Sequence, residues 1–261
     1  KCFDEAEVCY RKCMSLEPNK AITTTVSRGS ILFRDGFFEE ALSAFDSYDD
    51  VISRACALEC LCALGRVDEI YDRIEKGINV DGENIRVAAI AAFLAEREKK
   101  YTAHNFCNNP IDFIHLSNIS SHIEDSSSFI TSVIDELREV QTAWELNTTK
   151  NGFQAKIDIF KDPSKEIDSL KSIISDELDA YYAKFKNESC SYIKKWPSEK
   201  KVTGWHVILK QHGHQTSHIH PDGWLSGVIY LMVVPSLGKN EGGIEFRMDS
   251  PQYSEVGSTT K

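Results

Sequence analysis

Through about residue 100 the apolar positions recur every three to four residues, the spacing of one face of an α-helix. "FDEAEVCYRKCMSLEPN" puts Phe3, Ala6, Tyr10, Cys13 and Leu16 on one face and stops at Pro18-Asn19. A second stretch carries Gly29, Leu32, Gly36, Ala41 and Phe45, and "ALECLCALGRVDEIYDRI" reads as a further, degenerate hairpin. "ENIRVAAIAAFLAEREKK" then predicts one more helix. At "YTAHNFCNNPIDFIHLSNIS" Asn, Pro and Ser clusters end that period, so a domain boundary is expected near residue 101. Beyond it "SSSFITSVIDELREV" predicts a serine-capped helix, "GFQAKIDIF" a strand, and "DPSKEIDSLKSIISDELDAYYAKFK" a strongly amphipathic helix. "KVTGWHVILK", "SHIHP", "GWLSGVIYLMVVP" and "GGIEFRM" predict short strands with glycine turns. The expected class is α+β and multidomain: residues 1–100 helical, residues 101–261 a sandwich- or barrel-like β core with flanking helices.

Ala6 to Ala41 spans 35 residues, and so does Tyr10 to Phe45. With small residues where two helices would cross, and Gly29, Gly36 and Pro18 in matching slots, residues 1–100 resemble tetratricopeptide repeats. The resemblance implies a concave helical surface suited to a protein or peptide partner. The chain opens in mid-helix with half a repeat, which suggests a piece of something longer.

Forty acidic against thirty basic residues give a formal charge of −10. Such a balance repels phosphate backbones, so no nucleic-acid partner is expected. The longest apolar runs, "VAAIAAFLA" and "LSGVIYLMVVP", fall short of the roughly 20 residues of a membrane-spanning helix, so no membrane association is expected either. Cys9, Cys13, Cys56, Cys60 and Cys62 sit inside helical patterns rather than in CxxC pairs. They read as packing residues of a chain in a reducing cytoplasm.

Four of the eight histidines fall within residues 212 to 220, in "HGHQTSHIH". On a strand, residues i and i+2 project from one face, so His218 and His220 would converge on one centre with Ile219 on the other side. Chance alone gives about 0.2 H-x-H pairs in such a chain, so context must decide. His212 and His214 flank Gly213 and read as loop residues, exposed or supporting the ligands. His206 alternates within "GWHVILK" and reads as half-buried. His104, His115 and His122 receive no chemistry.

That context carries a family resemblance. "HIHPDGWLSGVIYLMVVP" followed by "GKNEGGIEFRMDSP" resembles the double-stranded β-helix, or jelly roll, of Fe(II)- and 2-oxoglutarate-dependent oxygenases. The closest pattern is a branch whose core reads H-x-H-P, then S-G-V-x-Y-L, then P, then G-G-x-x-F. "FCNNPIDFI", "TAWELNTTKNGFQAKIDIF" and "LDAYYAKF" look like lead-in segments, extending the likeness over residues 104 to 254. Members of this branch often carry tetratricopeptide repeats in front.

The resemblance implies Fe(II) and the cosubstrate 2-oxoglutarate, with His218 as first metal ligand. His220 stands where the wider superfamily has a carboxylate, leaving one more unit of positive charge at the site. Either His220 ligates, giving a three-histidine site, or it stands aside and water fills the position. Tyr230, with Ser226 on the same face by alternation, would bind the cosubstrate carboxylate, or be an aromatic of the sandwich core. Trp224 would form a wall of the substrate-pocket mouth. The family's distal histidine and the basic clamp on 2-oxoglutarate are expected farther on. No histidine follows His220, so this stretch alone is expected to lack the last strands and to bind metal poorly.

No G-x-S-x-G elbow, Walker loop, G-x-G-x-x-G or H-E-x-x-H is present. The resemblance implies a dioxygenase that hydroxylates a C–H bond, with succinate and CO2 as by-products, and a protein or peptide side chain is the expected substrate. Two alternatives are a repeat scaffold with a degenerate oxygenase domain and a cupin-like three-histidine enzyme that does not use 2-oxoglutarate.

Overall fold

The computed structural model describes residues 21–235, 238 and 241–246, and these fall into two compact units that divide between Asn108 and Asn109. Helices combine with a small antiparallel sheet, an α+β arrangement.

The first unit is a run of helix hairpins: α1 (Ala21–Arg34), α2 (Phe38–Asp46), α3 (Val51–Ala63), α4 (Val67–Asp81) and α5 (Ile85–Glu98). Each helix packs on the next in sequence as far as α4, and α3 also packs on α1 and α5. The two inner turns are built alike. Gly36 (φ +85°) and Gly65 (φ +70°) take the left-handed conformation that ends a helix. Phe37 N–H donates to Leu32 O and Arg66 N–H to Leu61 O, closing the same six-residue loop. Asp50 caps α3 through Ile52 N–H and Ser53 N–H, and Asn84 caps α5 through Arg86 N–H.

Buried partners recur with the hairpins. Leu32, Ala41 and Phe45 correspond to Leu61, Ile70 and Ile74, each 29 residues on; Ser53, Cys56 and Cys60 correspond to Val87, Ile90 and Leu94, each 34 on. The spacing is thus shorter than the expected 35 across the first step, because α2 has 9 residues and α4 has 15. The expected first-repeat residues, Phe3 to Leu16, lie outside the described residues, as do Cys9 and Cys13. Gly29 lies where an added Cβ would stand 2.6 Å from the Phe45 ring, so the α1–α2 crossing needs its small size. Cys56, Cys60 and Cys62 are buried free thiols on α3; burial is the first cause that pushes Cys56 and Cys62 up to about 12, and it raises Cys60 as well. Among the described residues no helix is long and apolar enough to cross a membrane.

The second unit has α6 (Ser126–Arg138), β1 (Thr142–Trp144), β2 (Thr149–Ala155), α7 (Lys165–Phe185), the one-turn α8 (Ser191–Lys194) and β3 (Val207–Gln215). Asp125, rather than a serine, caps α6, accepting from Ser128 N–H. Phe129, Val133 and Leu137 of α6 meet Ile167, Leu170 and Ile173 of α7 and Phe160 in one core. The sheet order is β1-β2-β3, all antiparallel. Across it Thr142, Ala155 and His206 form one row and Trp144, Phe153 and Ile208 the next, so these side chains share a face. Gln154 lies on the opposite face, buried, and accepts from the Thr149 hydroxyl (2.9 Å).

Two expectations are corrected here. Residues 216–235 form no strand, although "SHIHP" and "GWLSGVIYLMVVP" alternate as strands do. Alternation shows which way side chains point, whereas a strand also needs a partner for its backbone, and beyond Thr216 no strand pairs with this run among the described residues. The side chains on both sides of the alternation, from Val228 to Val234, are largely exposed; Leu231 instead packs against the α6–α7 core. His212 and His214, expected in a loop, lie on β3, where a bulge opposite Asn151 shifts the register and His212 takes φ +62°.

Candidate metal centre

β3 delivers the histidine segment and then lets it go. At the bulge Asn151 Nδ2 donates to Gln211 O (2.6 Å), and a Cβ at Gly213 would stand 2.5 Å from Asn151 O, so a side chain there would push the strands apart. The ladder ends where Thr216 N–H donates to Thr148 O. The chain then turns at Pro221-Asp222, with Gly223 N–H donating to His220 O, and is caught again at Trp224. The Trp224 indole N–H donates to Tyr192 O (3.2 Å) and its ring stacks on Tyr192 of α8. Tyr192 is itself fixed by a hydrogen bond to the Tyr181 hydroxyl on α7. The segment is therefore pinned at both ends.

Between those pins the two imidazoles meet. His218 Nε2 and His220 Nε2 are 3.1 Å apart, and the rings cross at 78°. His218 Nδ1 donates to Thr216 O (2.6 Å), which fixes the proton on Nδ1 and leaves the Nε2 lone pair facing its neighbour. His220 Nε2–H donates to that lone pair. Burial first, and the neighbouring His218 second, lower the pKa of His220, so the ring stays neutral, the form that binds metal.

The fit to a metal follows from the spacing. Two nitrogens about 2.1 Å from one ion and about 95° apart at it lie about 3.1 Å from each other. The distance matches two adjacent positions of a six-coordinate ion, which the rings would reach by turning out of the hydrogen bond that joins them. A third protein ligand is not beside it: among the described residues no group of three His, Cys, Asp or Glu could hold a metal ion.

The other expected site residues lie elsewhere. Ser226 and Tyr230 are exposed, and among the described residues no hydrogen bond or ring contact joins them to the imidazoles. The half-buried Trp224 indole is engaged with α8. Trp205, not anticipated from the sequence, stands with its ring centroid 5.5 Å from that of His220. His206 is half-buried with both ring nitrogens enclosed and, among the described residues, without a hydrogen-bond partner; burial lowers its pKa.

A second polar cluster, also unanticipated, lies on α7. Glu177 accepts from His115 Nε2 (3.0 Å) and Ser117 Oγ at the two ends of its carboxylate, and from His122 Nε2 at the Ser117 end (2.5 Å). The carboxylate bridges two imidazoles that face it from different sides, so the three do not converge on an empty centre. The Ser117 hydroxyl, against an opposing effect of burial, and then the two histidines hold the Glu177 carboxyl down at about 2. Its ordinary value is 4.5, so this bridge contributes stability above about pH 4.5 that is lost as pH falls toward 2. Glu177→Gln is expected to lower unfolding free energy by about 1–2 kcal/mol at pH 7. Urea titrations at stepped pH check this: the variant's stability should fall less steeply than wild type below pH 4.5, and parallel curves would refute it.

Residues 203–259 match the family model described as "Putative 2OG-Fe(II) oxygenase", a span of 57 of the 261 residues. The match takes in Trp205, β3, the imidazole pair and Tyr230. It supports an oxygenase of the kind that uses Fe(II) and 2-oxoglutarate. Neither a curated protein nor a solved structure matches the chain.

Proposed function

We propose that this protein is an Fe(II)- and 2-oxoglutarate-dependent dioxygenase in which His218 and His220 supply two of the metal positions. The observation that carries the reading is the pair itself: two Nε2 atoms 3.1 Å apart, one lone pair already directed by the Thr216 carbonyl, inside a segment that matches an oxygenase family. When bound, Fe(II) with 2-oxoglutarate would supply the oxidising chemistry for hydroxylating a C–H bond.

The chain's own residues do simpler things. The Thr216 carbonyl holds the His218 proton on Nδ1. To offer its Nε2 lone pair as well, neutral His220 would take its other tautomer, Nδ1 gaining a proton from solvent as Nε2 releases one. The pins at Thr216 and Trp224 limit how far the two rings can part. Tyr230 and Ser226, which alternation places on one face, would bind the cosubstrate carboxylate within a jelly-roll core. The tetratricopeptide-like helices of the first unit would present a protein or peptide substrate, in a cytoplasmic setting without nucleic acid or membrane.

Anaerobic titration of the natural full-length protein with Fe(II) and 2-oxoglutarate tests the reading. A weak visible charge-transfer band that requires both components is expected. Absence of the band, while Co(II) or Ni(II) binds, would favour the cupin-like alternative.

A further inference from the structure

We infer that Trp205 is a positioning residue that sets the orientation of His220 for metal binding, an inference that rests on the metal reading above. The two imidazoles are held by different means. His218 is fixed through its Nδ1 hydrogen bond to Thr216 O. For His220 no Nδ1 hydrogen bond is present among the described residues; its neighbours are the His218 ring and the Trp205 indole, with centroids at 4.8 Å and 5.5 Å.

The backbone that presents Trp205 is rigid on both sides. Gly204 N–H donates to Asp158 Oδ1 (2.9 Å) and Gly204 O accepts from Ile159 N–H (2.9 Å). A Cβ at Gly204 would lie 2.5 Å from the Phe160 ring, so this stretch sits hard against the second core. On the other side Ala155 N–H donates to His206 O. A residue so firmly anchored nevertheless leaves its indole 43% exposed, turned to the imidazole rather than to the core. Packing alone does not account for that placement. The large flat ring restricts His220 χ angles, keeping Nε2 aimed at His218, and excludes water from one side of the pair.

The test compares Trp205→Leu with Trp205→Phe in the otherwise intact chain, with thermal melts confirming that each variant folds. In the metal-free protein, the carbon-bound ring protons of His220 should shift in Trp205→Leu as the indole ring current is lost, and less so in Trp205→Phe. In Co(II) titrations followed by calorimetry, Kd should rise about tenfold in Trp205→Leu and stay within about twofold in Trp205→Phe. Unchanged proton shifts, or Trp205→Leu binding Co(II) as tightly as wild type, would overturn the assignment while leaving the metal reading in place. If wild type itself binds no Co(II), the metal reading falls and takes the positioning role with it. Should Trp205→Leu fail to fold, Trp205→Phe and Trp205→Tyr decide: both staying within about twofold with shifted His220 ring protons supports the assignment, and an about tenfold weakening by both despite native melts overturns it.

Discussion

Replacing Arg54 with Met should lower the unfolding free energy of the helical unit by about 3–5 kcal/mol, the cost of leaving a buried charge without its partner. Arg54 grips Asp81 with two parallel hydrogen bonds, Nε to Oδ2 at 2.8 Å and Nη2 to Oδ1 at 2.9 Å, and reaches Asp49 with Nη1. Asp81 is only 6% exposed, so the carboxylate would be stranded with little beyond a long contact to Asn84 Nδ2 (3.3 Å). The same residue's backbone oxygen accepts from the buried His104 Nε2, so relaxation there would loosen the end of α4 and the segment after α5 together. Urea unfolding followed by circular dichroism is the check. The double variant Arg54→Met with Asp81→Leu should recover much of the loss, because both charges are then gone; a loss under about 1 kcal/mol in the single variant would show that Asp81 finds another partner.

For the metal centre the largest effect expected is on Co(II) or Fe(II) affinity. His218→Ala removes the ring whose lone pair is already aimed, and Kd should rise about 100-fold, about 2.7 kcal/mol. His220→Ala separates the two roles left open by its position. If His220 ligates, its loss should approach that of His218→Ala; if water fills that position instead, binding should stay within about twofold. His220→Asp places an anion where the wider superfamily has one and should tighten Fe(II) binding relative to His220→Ala. Isothermal titration of each variant under anaerobic conditions reads all three, and equal affinity of wild type and His218→Ala would end the metal assignment.

The helices were legible because burial leaves a period: Ala41 and Phe45, or Ile167, Leu170 and Ile173, recur at intervals that a helix turns to one side. That His218 and His220 lie side by side was legible too, although the strand invoked for it ends at Gln215. The two rings meet outside any ladder, on a stretch that bends at Ser217 and turns at Pro221-Asp222 between the pins at Thr216 and Trp224. The strands expected beyond Gln215 were misread because the alternation of "GWLSGVIYLMVVP" records side-chain direction and says nothing of pairing. The Glu177 cluster left no trace in the sequence: Glu177 lies 55 to 62 residues from the histidines it joins, on a helix whose amphipathic pattern already explains a charge. Trp205 was equally silent, since a tryptophan inside the expected strand "KVTGWHVILK" reads as core until its neighbour is seen.

The three thiols of α3 have a consequence for a protein proposed to handle iron in air. Thiolate is the form that oxidants and alkylating reagents attack, and Cys56, Cys60 and Cys62 are kept from ionising by their surroundings. Their sulfurs become reactive only when α3 swings away from its neighbours, so modification of these sites would register each opening of the hairpin stack and accumulate as a record of past unfolding.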